Sequence, residues 1–394
     1  MTHRKPYRQS NGKSQQQPRV HFPRVKQNRL SATQMMQHVL IALLPGIMLQ
    51  WYLLGFCVII QLLLALCTAT VCEWSMAKCR ARPLNALEWQ TGLLSAVLLA
   101  LALPAIAPWY VVVVGVCFAI VIGKHVFGGV GMNIFNPAML GFCVVALSFP
   151  QAIALWPLSG TLTGTLTGTN PLDFNAMIST ASAYPLSISD SLRHIFTTSN
   201  APDTIAGATV LGAYKADSLM LTHATNTGIH IPATHAIAMA AAWLIGGIYL
   251  WYRQIADWRL SITLMVVFVG LLWLLWLLST GTSIDTSVVN SIGNSIGSPT
   301  DNSTQTRLSL STHFFHGSLI FTACFIITDP TTAATSRQGR FIYAIIVATV
   351  AVLIRNYSNL PDGFAFAILF GNLCVPLIDE YTKPIYAKQS TNNP

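Results

Sequence analysis

The chain has 394 residues, 53% of them hydrophobic and 9% charged, with a mean hydropathy of +0.54. A soluble domain carries roughly 25% charged residues, so this composition excludes one and points to a polytopic membrane protein. The net charge of +9 would suit nucleic acid, but residues 1 to 30 hold eight Lys and Arg and no Asp or Glu. The excess is therefore a basic juxtamembrane tail, suited to orientation and to anionic membrane lipid and not to nucleic acid.

That tail, residues 1–33, contains Gln15-Gln16-Gln17 and reads as disordered and cytoplasmic. It is too long and polar for the n-region of a cleaved signal peptide, and no small-residue cleavage site follows the first apolar segment, which is expected to stay as the first helix. Ten spans are expected in an all-α membrane fold. Five fall in residues 34–150, near 36–53, 55–73, 90–105, 108–123 and 134–150. Two fall in residues 235–279, near 235–252 and 260–279, and three in residues 313–380, near 313–328, 341–355 and 363–378. Several are short and carry Pro or Gly, as at Pro45-Gly46 and Pro104, which suits helices that line a site inside a bundle.

Lys and Arg set the orientation. With the N-terminus inside, eighteen of them fall on the cytoplasmic side and four, Arg193, Lys215, Arg307 and Arg355, on the other. Both termini, including the tail 381–394, are then cytoplasmic, and the loops 151–234 and 280–312 are periplasmic. The second of these is Ser/Thr/Asn-rich low-complexity sequence. The first carries amphipathic pieces with Phe174, Leu192, Ile195 and Leu219, which suggests a partly ordered loop.

Within loop 151–234 lies Asp203-Thr204-Ile205-Ala206-Gly207-Ala208-Thr209. Gly207 and Ala208 clear bulk from the backbone beside the Thr209 hydroxyl, so another enzyme can close over it and use its oxygen as a nucleophile. Alone, the tripeptide reads more readily as a turn leading into a short helix. The second notable run, Lys124 to Pro150, contains Gly128, Gly129 and Gly131, then Asn133 and Asn136-Pro137. Glycines there permit backbone conformations closed to other residues, and a broken helix end exposes amides that can hold a ligand or an ion, or simply pack. A third, Phe325 to Ala333, places Asp329-Pro330 at the end of the eighth span, where the acid either caps a helix or lies by an ion path. The fourth, Asn359 to Leu369, continues to Asn372, Pro376 and Asp379.

The eight cysteines lie in or next to spans without a Cys-x-x-Cys pair, so an iron-sulfur cluster held by this chain alone is not expected. His313 and His316 share a helical face but lack an evident third metal ligand. There is no phosphate loop or Rossmann fingerprint, so nicotinamide chemistry belongs to a partner.

Together these runs resemble the NqrB/RnfD family of membrane subunits, from about residue 30 to 388. Asp203 to Thr209 is similar to that family's flavinylation signature, with Ala206 where Ser or Thr is usual. The resemblance implies FMN esterified to Thr209 by a flavin transferase outside the cytoplasmic membrane, within a motif formed by Asp203, Gly207 and Ala208. It also implies a second, non-covalent flavin, riboflavin or FMN, in the helix bundle, or an ion there, with Gly128, Gly129, Asn133 and Asn136 as candidates. The expected fold is two repeat-related halves of about ten helices with a large periplasmic loop. The expected function is that of a bacterial inner-membrane subunit of the Rnf (Rsx) complex. That complex couples electron transfer between ferredoxin and a nicotinamide nucleotide to Na+ or H+ movement, and its other subunits are A, B, C, E and G. The alternatives are an NqrB-like subunit of a Na+-translocating NADH:quinone reductase, or a non-redox solute channel or carrier in which Asp329 or the Asn136-Pro137 break lines a permeation path.

Overall fold

The computed structural model describes residues 30–81, 83, 85–154, 156–157, 186–197, 206–207, 233–281, 314–315, 317–358, 360 and 362–382. These residues are almost entirely helical. Among the described residues, six helices are long and apolar enough to cross a membrane: α1 (Ala32–Leu54), α2 (Phe56–Cys79), the segment Trp109–Val126, α9 (Trp258–Gly281), α11 (Arg337–Tyr357) and α12 (Phe364–Thr382). Shorter apolar helices are α3 (Ala86–Ala102), α5 (Pro137–Ser148) and the stretch Ala236–Tyr252 of α8 (Ala233–Tyr252). The segment Trp109–Val126 is α4 (Trp109–Cys117) continued by a π-helical stretch, Phe118–Val126. The segment expected near 313–328 is helical over α10 (Leu319–Phe321) and a second π stretch, Thr322–Ile326. Minor elements among the described residues are α6 (Pro150–Ala154), β1 (Trp156–Pro157), α7 (Ile188–Phe196) and β2 (Ala206–Gly207).

Local sequence explains where these helices begin. Ser31 and Gln34 form a capping box on α1, so its first orphan amides find partners before the apolar run starts. Gly55, at φ 85°, ends α1 and lets the chain reverse directly into α2, a conformation costly to any residue with a Cβ. Asn136 caps α5 through the Met139 amide, with Pro137 at the first helical position where no amide proton is needed. Ser336 caps α11 in the same way through Gly339.

One block packs α1 to α5, with α2 against α3 and α4 and with α4 against α5; the other packs α9 against α11 and α11 against α12. They join where α1 crosses α8 and where α5 meets α12. The first crossing depends on small residues. A Cβ built on Gly246 would clash with the Ala42 carbonyl, and one on Gly46 would clash with the ring of Trp243. Trp243 in turn packs on Phe321 and Phe325 at ring-centroid distances of 4.9 and 5.8 Å. Such close approach replaces the hydrophobic driving force that lipid does not supply.

At the end of the molecule where α11 finishes, Arg355 is buried with its guanidinium 4.8 Å from the Phe268 ring and 5.3 Å from Phe364. It bonds Asp362 at 3.2 Å, and Asp362 also accepts from the Ser318 amide and hydroxyl at 2.7 Å each. Burial opposes ionisation of Asp362, but Arg355 and Ser318 outweigh it and hold the carboxyl below its ordinary range.

Candidate functional site

The two broken segments meet. The first is the stretch between the first π helix and α5. There Gly128, Gly129 and Gly131 take φ of 120°, 110° and 82°, which turns the chain sharply enough to bring Asn133 and Asn136 back under the helix ends. The second runs from Ile327 to Ser336, with Asp329 at its start. Asn136 Nδ2 donates to Asp329 Oδ2 at 3.2 Å, a bond between residues 193 apart in the chain. With the Asn372 amide oriented to suit its neighbours, its oxygen accepts from the Asn136 amide at 2.9 Å and its nitrogen donates to the Tyr343 hydroxyl at 2.8 Å. Both breaks are thereby tied to α11 and α12.

Beside this junction lies an open cavity of about 150 Å³. One side is apolar, built from Met36 and Val39 of α1, Leu94 and Leu98 of α3, Leu250 of α8 and Phe325. The other is polar, with Lys124, Asn133, Asn136, Thr328, Asp329 and Thr331. Apolar walls with a few convergent polar groups are the usual lining of a small-molecule site. Asn133 holds the Gly131 amide and donates to the Phe135 carbonyl, while Asp329 Oδ1 takes the amide and hydroxyl of Thr331 at 3.0 and 2.8 Å. These bonds fix the polar wall before any ligand arrives. Burial pushes the Asp329 carboxyl above its ordinary range, against the bonds from Thr331 and Thr332 that pull it down.

Behind the wall is a charged cluster at the ends of α2 and α3. Glu73 is fully buried and accepts from Lys124 at 2.6 Å through Oε1, while its Oε2 lies 2.9 Å from His125 Nε2. Lys124 also donates to the Glu88 carbonyl at 2.5 Å. Arg80 donates to the carbonyls of His125 and Gly128, which pins the glycine turn from outside.

The expected site residues thus separate. Asn133 and Asn136 line the cavity, whereas Gly128 and Gly129 shape the turn behind it, near Arg80 and Glu88. Lys124 and Asp329 stand in the sequence as an orientation charge and a cap or path residue, and both line the cavity. Glu73 and Met36 carry no local signal, because their role comes from helices distant in sequence.

Of the motif around Thr209, only Ala206 and Gly207 are described; they pair antiparallel with Pro157 and Trp156. Asp203, Ala208 and Thr209 lie outside the described residues, as do His313, His316, the tails and most of the loops expected at 151–234 and 280–312. The amphipathic reading of Ile195 is visible in α7, where Ile195 is buried and Leu192 exposed and the helix packs on α2. The chain enters α7 through a backbone bridge between Gly55 and Leu186.

Comparison with known proteins agrees with this architecture along the chain. The model of the NQR2, RnfD, RnfE family matches residues 20–388. The D subunit of the ion-translocating oxidoreductase complex of Erwinia tasmaniensis is 33% identical over 377 residues, covering 91% of this chain and 94% of that protein. The proteins of the same name from Psychromonas ingrahamii and Vibrio cholerae are each 34% identical, over 381 and 380 residues, covering 92% of this chain and 96% of theirs. This chain is a multi-pass membrane protein of the NQR2, RnfD, RnfE family.

Proposed function

We propose that this chain is the D-type subunit of an ion-translocating oxidoreductase complex in the bacterial inner membrane, that FMN is esterified to Thr209, and that the cavity takes a second, non-covalent flavin. The observation that carries the reading is the meeting of both broken segments around one cavity, in a chain similar to named D subunits over nine-tenths of its length. Ten spans follow from the apolar runs, and periplasmic Thr209 and cytoplasmic termini from the count of Lys and Arg.

The lining of the cavity suits a flavin ring in chemistry. Its apolar side suits the faces of a flat aromatic system, and Asn133, Asn136, Lys124 and Asp329 meet the polar edge. A bound flavin supplies one- or two-electron chemistry; the chain positions it and sets its surroundings. Asn136 joins the polar wall to both halves, so the same residue that caps α5 fixes the cavity's shape. The paired Ala206–Gly207 and Trp156–Pro157 hold the Thr209 motif to the segment that follows α5. The cavity lies at the start of α5 and that tether beyond its end, and α5 itself spans about 18 Å. Partners implied are the other complex subunits, ferredoxin and a nicotinamide nucleotide through them, a flavin transferase, and Na+ or H+.

Expression with an active flavin transferase, followed by a denaturing gel under ultraviolet light, tests the covalent part. The parent band is expected to fluoresce and Thr209→Val to be dark; a dark parent beside a fluorescent control substrate removes that part. Acid extraction of the native Thr209→Val protein tests the other part. It is expected to release one flavin, and Asn133→Ala with Asn136→Ala is expected to lose it.

A further inference from the structure

Lys124 has a hydrogen-bonding capacity that its partners do not exhaust. An ammonium carries three N–H donors. Glu73 Oε1 and the Glu88 carbonyl take two, and among the described residues no third partner is present, although the side chain is only 3% exposed. The residue lines the cavity, while Glu73, fully buried, sits behind it and does not. The ion pair therefore stands with its positive member at the cavity and its negative member held back by Lys124 and His125.

We propose that Lys124 is a positioning residue of the cavity, the fixed positive charge that Glu73 holds against the polar edge of a bound flavin, and that it favours the reduced form of that flavin. The proposal rests on the flavin reading above. Two electrons and one proton convert the neutral oxidised ring into a singly negative reduced ring, and a cation beside it stabilises the added charge. In a water-poor site a unit charge within several ångströms changes such an equilibrium about tenfold or more. Glu73 alone in that position would have the opposite effect, so the sign depends on the order of the pair.

The test uses full-length protein carrying Thr209→Val, so that covalent FMN does not contribute, purified and supplemented with riboflavin. Dithionite supplies the reducing electrons, a dye couple sets the poise, and absorbance reports the reduced fraction at about pH 8, where an unperturbed imidazole is neutral. Lys124→Met is expected to lower the ratio of reduced to oxidised flavin about tenfold at fixed poise, and Glu73→Gln to raise it. Lys124→Arg is expected to stay near the parent. The double variant Lys124→Met with Glu73→Gln removes both charges without leaving either unpaired, so it serves where Lys124→Met alone does not fold, and its ratio is expected between those of Lys124→Met and the parent. Shifts of the same sign in Lys124→Met and Glu73→Gln, or a double variant displaced as far as Lys124→Met, would overturn the role of Lys124 while leaving the flavin site standing. A Thr209→Val protein that binds no riboflavin would remove the flavin reading itself, and this inference with it.

Discussion

Two buried charge clusters occupy opposite ends of this molecule, and they are built differently. At one end Arg355 lies between two phenylalanine rings, and its carboxylate partner Asp362 is also bonded by the amide and hydroxyl of Ser318. At the other end Glu73 is shared between Lys124 and His125, Lys124 keeps an unspent donor, and a cavity adjoins it. A cluster packed between rings away from the cavity holds helices together, whereas one whose cation lines the cavity is suited to a ligand. The difference is one of position, since both clusters lie among helices where charge is costly.

The largest expected effect breaks the enclosed cluster. Arg355→Leu leaves the half-buried Asp362 beside Ser318 without its counter-charge, and is expected to cost about 3 kcal/mol of stability. Thermal unfolding in detergent measures the loss, and adding Asp362→Asn is expected to restore part of it. Bound flavin per folded molecule is expected to stay unchanged in both variants. A loss of flavin without a loss of stability would reverse the roles given to the two ends.

The glycine turn is the next test. Gly128→Ala and Gly129→Ala force a Cβ onto backbone at φ of 120° and 110°, which is expected to cost on the order of 1–3 kcal/mol each. Neither glycine lines the cavity, so riboflavin affinity is expected to fall only as far as the turn displaces Asn133. Titration of folded protein with riboflavin separates the two effects.

How much of this was legible in the sequence follows from how local each feature is. Apolar runs and caps are local, so α1, α2, α9, α11 and α12 lie within a few residues of their expected spans. The Asn136-Pro137 break was readable because Pro at the first helical position follows a capping Asn. The π-helical ends at Phe118–Val126 and Thr322–Ile326 have no comparable signal, since the same apolar residues suit an ordinary α-helix. Pairing was still less readable. Nothing in Val71-Cys72-Glu73-Trp74 announces that Glu73 will meet Lys124, fifty-one residues on, and Asp329 could be read only as a cap or a path residue until its bond to Asn136 placed it on the cavity.

A smaller effect distinguishes the two breaks. Asn136 and Ser336 are both N-caps, so Asn136→Ala and Ser336→Ala are each expected to cost about 0.5–2 kcal/mol. Only Asn136 lines the cavity; Ser336 bonds Thr382 at 2.5 Å instead. Asn136→Ala is therefore expected to weaken riboflavin binding and Ser336→Ala to leave it unchanged. Equal losses of binding would mean that the cavity responds to helix stability and not to the Asn136 side chain.

The smallest expected effect is a pH dependence at the enclosed end. Because Asp362 is held below the ordinary carboxylate range in the folded protein, the unfolded chain binds its proton more readily. Its contribution is then complete above about pH 4 and is lost as pH falls through the lowered folded value. The parent is expected to lose thermal stability progressively below about pH 4, and Asp362→Asn to start lower and lose less over the same window. The two curves should therefore converge in acid. Curves that stay parallel would mean that Asp362 carries no charge-dependent bond to Arg355, and the enclosed cluster would then owe its stability to the stacking of Arg355 on Phe268 and Phe364.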